Sequence, residues 1–234
     1  MKHSLRLFIF GCIAWLCGFV CLINCFPAYL PADKNLLLSD FESRSQTSPY
    51  AHSAPLDRWD QSGQGVFWEP NSGFSGSACI KLTVHDDEES NIKLTLANPQ
   101  DYTFLLVRAK MRTESVVQGA NSWNAARLLL YFSDKDGKTN WDYPHWAGTL
   151  IGTSSWREVE KVFPVPEFAE TATVVVQNSS KSGIVWCDDI TLRPAYKNSS
   201  YFLLRGILFV TGILLAISAI GSFGLLKKGA GYPL

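Results

Sequence analysis

The stretch Asn140-Trp141-Asp142-Tyr143-Pro144-His145-Trp146 sets three large aromatic rings among groups that donate and accept hydrogen bonds. A flat ring offers a face to apolar C–H surface, and polar side chains nearby can take a polar edge. Sugars have both kinds of surface, so rings and hydrogen-bonding groups around a shallow groove have the chemistry of a glycan platform. Trp123 supplies another ring just ahead of a strand carrying Arg127 and Tyr131. The candidate binding residues are therefore Trp123, Arg127, Tyr131, Trp141, Tyr143 and Trp146. A competing reading packs the tryptophans beneath their own loop and leaves the basic residues on a solvated face.

Bond-breaking chemistry finds no such constellation. No Gly-x-Ser-x-Gly, HExxH or phosphate-loop pattern occurs, and the histidines at 3, 52, 85 and 145 are scattered. A glycosidase needs two carboxylates facing each other across a cleft, and no spacing here singles out such a pair. The expectation is a protein that binds without catalysing.

Strands must hold the candidate residues, because period-two alternation recurs along the chain. Ile80, Leu82 and Val84 oppose Cys79, Lys81 and Thr83. Leu105, Val107, Ala109 and Met111 oppose Arg108, Lys110 and Arg112, and Leu128, Leu130 and Phe132 oppose Arg127, Leu129 and Tyr131. Residues 154–194 read as three strands in succession, the first closed by Pro164 and Pro166 because proline cannot donate to a ladder. In the last of them Ile184, Trp186, Ile190 and Leu192 read as one face, and Val185, Cys187, Asp189 and Thr191 as the other. Residues 43–65 have no apolar period and read as a loop, and Asp86-Asp87-Glu88-Glu89 as a solvated hairpin tip.

The order Asn35-Leu36-Leu37, Phe41-Glu42, Ser72-Gly73-Phe74-Ser75-Gly76-Ser77, Tyr102-Thr103-Phe104, Ser155-Trp156 and Trp186-Cys187-Asp188-Asp189-Ile190-Thr191-Leu192 resembles the jelly-roll carbohydrate-binding modules appended to xylanases and cellulases, which are galactose-binding-domain-like. The resemblance covers about residues 34–194. It implies an all-β fold, a two-sheet antiparallel jelly-roll sandwich that binds polysaccharide or oligosaccharide and performs no catalysis. It implies a concave sheet bearing the ligand, which the strands with Arg108, Lys110 and Arg112 and with Arg127 and Tyr131 would line. Those bases would favour uronic or otherwise anionic sugars. It also implies a structural calcium held by Glu42 and Asp188, with backbone carbonyls near Gly76 and Ser77 completing the shell. The alternative is a carboxylate satisfied by backbone N–H groups.

Cys79 and Cys187 are the cysteines outside the apolar segments, and both take the outward parity of their strands. If those strands are neighbours, a disulfide is expected in an oxidising compartment. Two unpaired small residues are the other possibility.

Two apolar runs flank the strands. Leu7 to Phe26 follows Lys2 and Arg6, and Tyr201 to Leu226 precedes Lys227-Lys228; each is long enough to cross a bilayer. The first could be a signal peptide, but Phe26 and Leu30 stand where cleavage after Ala28 or Ala32 would want a small residue. Basic residues beyond both runs expect both termini in the cytoplasm and the intervening domain outside it. Three parts follow: residues 1–30 as tip and transmembrane helix, 31–197 as the extracytoplasmic sandwich, and 198–234 as the second transmembrane helix and tail. All 21 acidic residues lie within the middle part against 16 bases, a net charge of −5 that argues against nucleic acid. Two Asn-Ser-Ser sequons, at Asn178 and Asn198, matter only in a host that glycosylates.

The expected whole is a membrane-anchored carbohydrate-binding protein, accessory to glycan synthesis, export or processing. Its rival is a structural subunit of a larger membrane protein complex whose sandwich docks proteins. The aromatic loop discriminates between them: solvent-facing rings favour glycan, and rings buried in the core favour the rival.

Overall fold

The alternating segments pair into two antiparallel sheets in the computed structural model, which describes residues 2–42, 56–74, 76, 78–84 and 88–229. The chain divides into two compact units, Pro31–Tyr196 and the two terminal segments Met1–Leu30 with Lys197–Leu234. In chain order the strands are β1 (Tyr29–Pro31), β2 (Leu37–Ser39), β3 (Asp60–Ser62), β4 (Val66–Pro70), β5 (Ala78–Val84), β6 (Ser90–Ala97), β7 (Phe104–Val117), β8 (Ala126–Ser133), β9 (Trp146–Leu150), β10 (Gly152–Pro164), β11 (Thr171–Asn178) and β12 (Ser182–Lys197). The first sheet runs β10-β7-β12-β5-β4, with β2 also on β12. The second runs β3-β6-β11-β8-β9. This is the all-β jelly-roll sandwich the sequence led us to expect, with an apolar helix at each end.

The inner faces make one core. Ile80, Leu82, Val107, Ala109, Met111 and Val185 from the first sheet meet Ile92, Leu128, Leu130, Phe132, Val174 and Val176 from the second, none more than 2% exposed. Burying each large aliphatic side chain contributes roughly 1.5–3 kcal/mol, so the two patterned faces hold the layers together.

One expectation about β12 reverses. Val185 and Cys187 face the core, and so do Ile190 and Leu192. The register against β7 shifts between Asp188 and Thr191, and Asp189 takes a left-handed backbone with φ 49°. A bulge adds one residue to the strand and flips every side chain beyond it. Trp186 and Asp188 therefore belong to the outer face and do not share the face of Ile190.

The expected disulfide falls with the same register. β5 and β12 are neighbours, but Cys187 pairs with Ile80, so Cys79 points to the opposite side of the sheet. Both thiols are free and fully buried.

The terminal unit holds α1 (Lys2–Cys25) and α2 (Ser199–Gly229). Within them Phe8–Cys25 and Ser199–Ser218 are apolar and long enough to cross a membrane. The helices meet where glycine leaves room: a Cβ at Gly212 would lie 2.8 Å from the Trp15 ring. Trp15 Nε1 donates to the Leu208 carbonyl at 2.6 Å, which satisfies an indole that lipid could not. Asn198 donates through its side chain to Pro27 O and through its backbone to Ala28 O.

Candidate functional site

Alternation along β8 turns Arg127, Leu129 and Tyr131 away from the core, onto the outer face of the second sheet. Register supplies their neighbours. On β11, Gln177 lies opposite Arg127, Val175 opposite Leu129 and Thr173 opposite Tyr131. On β9, Thr149 lies opposite Arg127 and Trp146 opposite Leu129. Although this face points out of the sandwich, its floor is recessed: Thr173 is 3% exposed, Leu129 5%, and Arg127 and Gln177 8% each. Arg127 Nη2 donates to Gln177 Oε1 at 2.7 Å. Burial lowers the arginine pKa, and the charge of Glu89 works against that shift.

Above one end of this floor stands the aromatic loop. The Trp141 ring centre is 5.2 Å from that of Tyr131 and 5.3 Å from that of His145. Trp146 Nε1 donates to His145 Nε2 at 2.8 Å, which makes Nε2 the acceptor and leaves the proton on Nδ1, 2.9 Å from Tyr143 O. The imidazole thus stands between the two tryptophans, hydrogen-bonded to Trp146 and edge-on to Trp141. His145 O accepts from Leu130 N at 3.0 Å and ties the loop to β8. Trp141 is 57% exposed and Trp146 49%. Beside Trp141 opens a groove of about 530 Å³ lined by Asp134, Lys138, Thr139, Asn140, Asp142 and Phe168.

Two of the expected residues stand apart. Tyr143 packs edge-on against Phe132 and Phe168, and its hydroxyl donates to Pro164 O at 3.1 Å. Burial raises its pKa. It is the foundation of the loop rather than a platform. Trp123 is half exposed on the β7–β8 connection, and its carbonyl accepts from Ala125 N and from Ser179 Oγ. It sits near the Arg127 end of β8, whereas Trp141 meets Tyr131; four residues of strand, roughly 13 Å, separate Arg127 from Tyr131.

The expected union of both basic strands on one face does not occur, because β7 lies in the first sheet and β8 in the second. Arg108 pairs with Glu160 at 2.7 Å and Lys110 with Glu158 at 3.0 Å. Arg112 lies 3.9 Å from the Trp186 ring centre and 5.6 Å from that of Trp156, and Lys110 is 4.7 Å from that of Phe74. Trp186 Nε1 donates to Glu69, which also pairs with Lys81 at 3.4 Å. These charges are matched by carboxylates and ring faces on their own sheet and by Phe74 in the β4–β5 loop. Alternation announced the bases, but no sequence signal said which tryptophans would meet them.

Cys79 lies on that outer face. Burial, together with the charges of Asp188 and Glu69, pushes its thiol up to about 12. Cys187, on the core side, is raised as well, chiefly by burial.

Glu42 and Asp188, the expected calcium ligands, close on the same segment ahead of β5. Asp188 Oδ2 accepts from Phe74 N and Oδ1 from Asp189 N, each at 2.7 Å, and Glu42 Oε1 accepts from Ala78 N at 3.3 Å. A Cβ at Gly76 would lie 1.7 Å from Glu42 Oε1, so a larger residue there would displace that carboxylate. Carboxylate oxygens are the donor type that calcium takes, and the N–H donors offset the desolvation of Asp188 without a cation. Among the described residues no three His, Cys, Asp or Glu gather as metal ligands, and Ser75 and Ser77 lie outside those residues. So do residues 43–55 of the expected loop and Asp86 and Asp87 of the expected hairpin tip. Of the sequons, Asn178 is fully buried and donates to Leu82 O and Gly183 O, which closes it to modification in the folded chain.

No family model and no curated protein matches this chain. Among solved structures it is similar to a xylan-binding CBM22-1 domain from Paenibacillus barcinonensis, at 15% identity over 70% of this chain and 97% of that one, with a TM-score of 0.46. A family 16 carbohydrate-binding module is similar at 18% identity over 58% and 91%, with a TM-score of 0.44. The enzymatically active domain of the bacteriophage CBA120 tailspike protein 4 is similar at 15% identity and a TM-score of 0.45; 58% of this chain is aligned, but only 19% of that one.

Proposed function

We propose that this protein is a membrane-anchored, non-catalytic carbohydrate-binding protein that holds a polysaccharide or oligosaccharide on the outer face of its second sheet. The carrying observation is the exposure of Trp141 and Trp146, at 57% and 49%, beside a recessed floor that presents Arg127, Gln177 and Thr173. Rings left in water beside hydrogen-bonding groups suit the apolar face and polar edge of a sugar. In this reading α1 and α2 cross the bilayer, the basic ends of the chain stay in the cytoplasm, and the sandwich serves a machine for glycan synthesis, export or processing. Calcium at Glu42 and Asp188 belongs to the same proposal.

A glycan array probed with the full chain in detergent micelles, with calcium and with chelator, tests it. Wild type should bind, and the Trp141→Ala, Trp146→Ala double variant should bind about tenfold more weakly or worse, since each stacked ring contributes roughly 0.5–1.5 kcal/mol. Loss of binding on chelation is the outcome expected of the calcium. A folded wild-type protein that retains no neutral or acidic glycan would overturn the reading in favour of a protein-docking subunit.

A further inference from the structure

Arg127 is 8% exposed, and it spends one N–H on a neutral acceptor, Gln177 Oε1. Its Nε is buried without any hydrogen-bond partner, and no carboxylate forms an ion pair with it among the described residues. A guanidinium has five donors in a planar fork and keeps its charge at any physiological pH. Removing that charge from water without a counter-charge is costly, and proteins ordinarily pair such a group. The contrast within this chain is direct: Arg108, on the other sheet, is less buried and has Glu158 and Glu160. The side chains placed beside Arg127 by register are those of Gln177 and Thr149, both neutral. Next along the same row is Asn91, which is also neutral and whose amide donates to Glu89 Oε1. Glu89 acts on Arg127 through its field alone.

Resting on the carbohydrate reading above, we propose that Arg127 is a specificity-determining residue that receives a carboxylate, so that the ligand is an acidic glycan containing uronic acid. The sugar ring stacks at Trp141 and Trp146 while its neighbour along the glycan presents the carboxylate to the terminal Nη groups of Arg127, since Nε is closed to solvent. A planar carboxylate matches the fork and supplies the missing counter-charge. A sulfate ester shares the charge but has tetrahedral oxygens, so it fits the fork less well.

Titration of the full chain in detergent with oligogalacturonate, with its methyl ester and with a sulfated oligosaccharide of equal length separates these. The expected result is at least tenfold tighter binding of the acid than of the ester. Arg127→Gln should abolish that preference and Arg127→Lys, which keeps the charge but not the fork, should restore part of it. Because the arginine is held without a counter-charge, Arg127→Met should melt no lower than wild type, whereas a merely structural arginine would lower the melting temperature. Equal binding of acid and ester that still depends on Trp141 and Trp146 overturns the uronate assignment and leaves the carbohydrate reading standing. A preference for the sulfated ligand overturns it too. No binding of any of the three also overturns the uronate assignment, and the glycan array then decides the carbohydrate reading on its own.

Discussion

A thiol at Cys79 shows how a small side chain reports its surroundings. It shares the outer face of the first sheet with Asp188 and Glu69, and it is wholly out of water. In the unfolded chain a thiol loses its proton near pH 9, whereas the folded protein holds this one to about 12. Between those values the unfolded state binds fewer protons, so stability is complete below about pH 9 and falls as pH rises towards 12. Chemical unfolding measured from pH 8 to 11 should show that fall, and Cys79→Ala should remove part of it. A thiol reagent at pH 8 should modify Cys79 and Cys187 only as fast as the chain unfolds; rapid modification of the native protein would contradict the burial. The same scale separates the aromatic residues. Trp141 and Trp146 are exposed, as rings on a polar loop can be, but nothing in that loop distinguished Tyr143, whose ring turns under it to Phe132 and Phe168.

Strands were legible wherever alternation was unbroken, as in β5, β7 and β8, because a half-buried strand must place every second residue on the core. Alternation tells which residues share a face and not which strand lies alongside. That is why Arg108, Lys110 and Arg112 were expected beside Arg127, although β7 and β8 lie in different sheets. It also fails at a bulge. β12 reads as one period, yet Asp189 at φ 49° shifts it by a residue and sends Trp186 to the outer face. The left-handed conformation costs a non-glycine residue roughly 1–2 kcal/mol, and more when it is β-branched. Asp189→Val should therefore be less stable than Asp189→Gly by about 1–2 kcal/mol in chemical denaturation. Both variants lose whatever the carboxylate contacts, so the difference between them isolates the backbone. Equal stability would mean that the bulge relaxes elsewhere.

At the scale of the molecule, the charge distribution carried most of the information. Every acid lies between Asp33 and Asp189, and the two apolar runs are bordered by Lys2 and Arg6 and by Lys227 and Lys228. In the proposed topology a bilayer would accept α1 and α2 because helices satisfy their own backbone, and the positive flanks would set which side the ends occupy. What the sequence did not reveal was the fit within the helix pair, where the Trp15 indole lies against Gly212 and donates to Leu208 O. The cysteine distribution makes the orientation measurable. Cys12, Cys17, Cys21 and Cys25 lie in α1, within the bilayer in the proposed topology, and Cys79 and Cys187 are buried in the sandwich. Wild-type protein in intact cells should therefore resist a membrane-impermeant maleimide. Lys135, exposed in the turn closed by hydrogen bonds to Asp134, offers a neutral site for a new thiol. The Lys135→Cys variant should be labelled from outside intact cells at a rate close to that of a free peptide thiol. Labelling only after the membrane is permeabilised would place the sandwich in the cytoplasm, where a glycan outside the cell could not reach the face that carries Trp141 and Arg127.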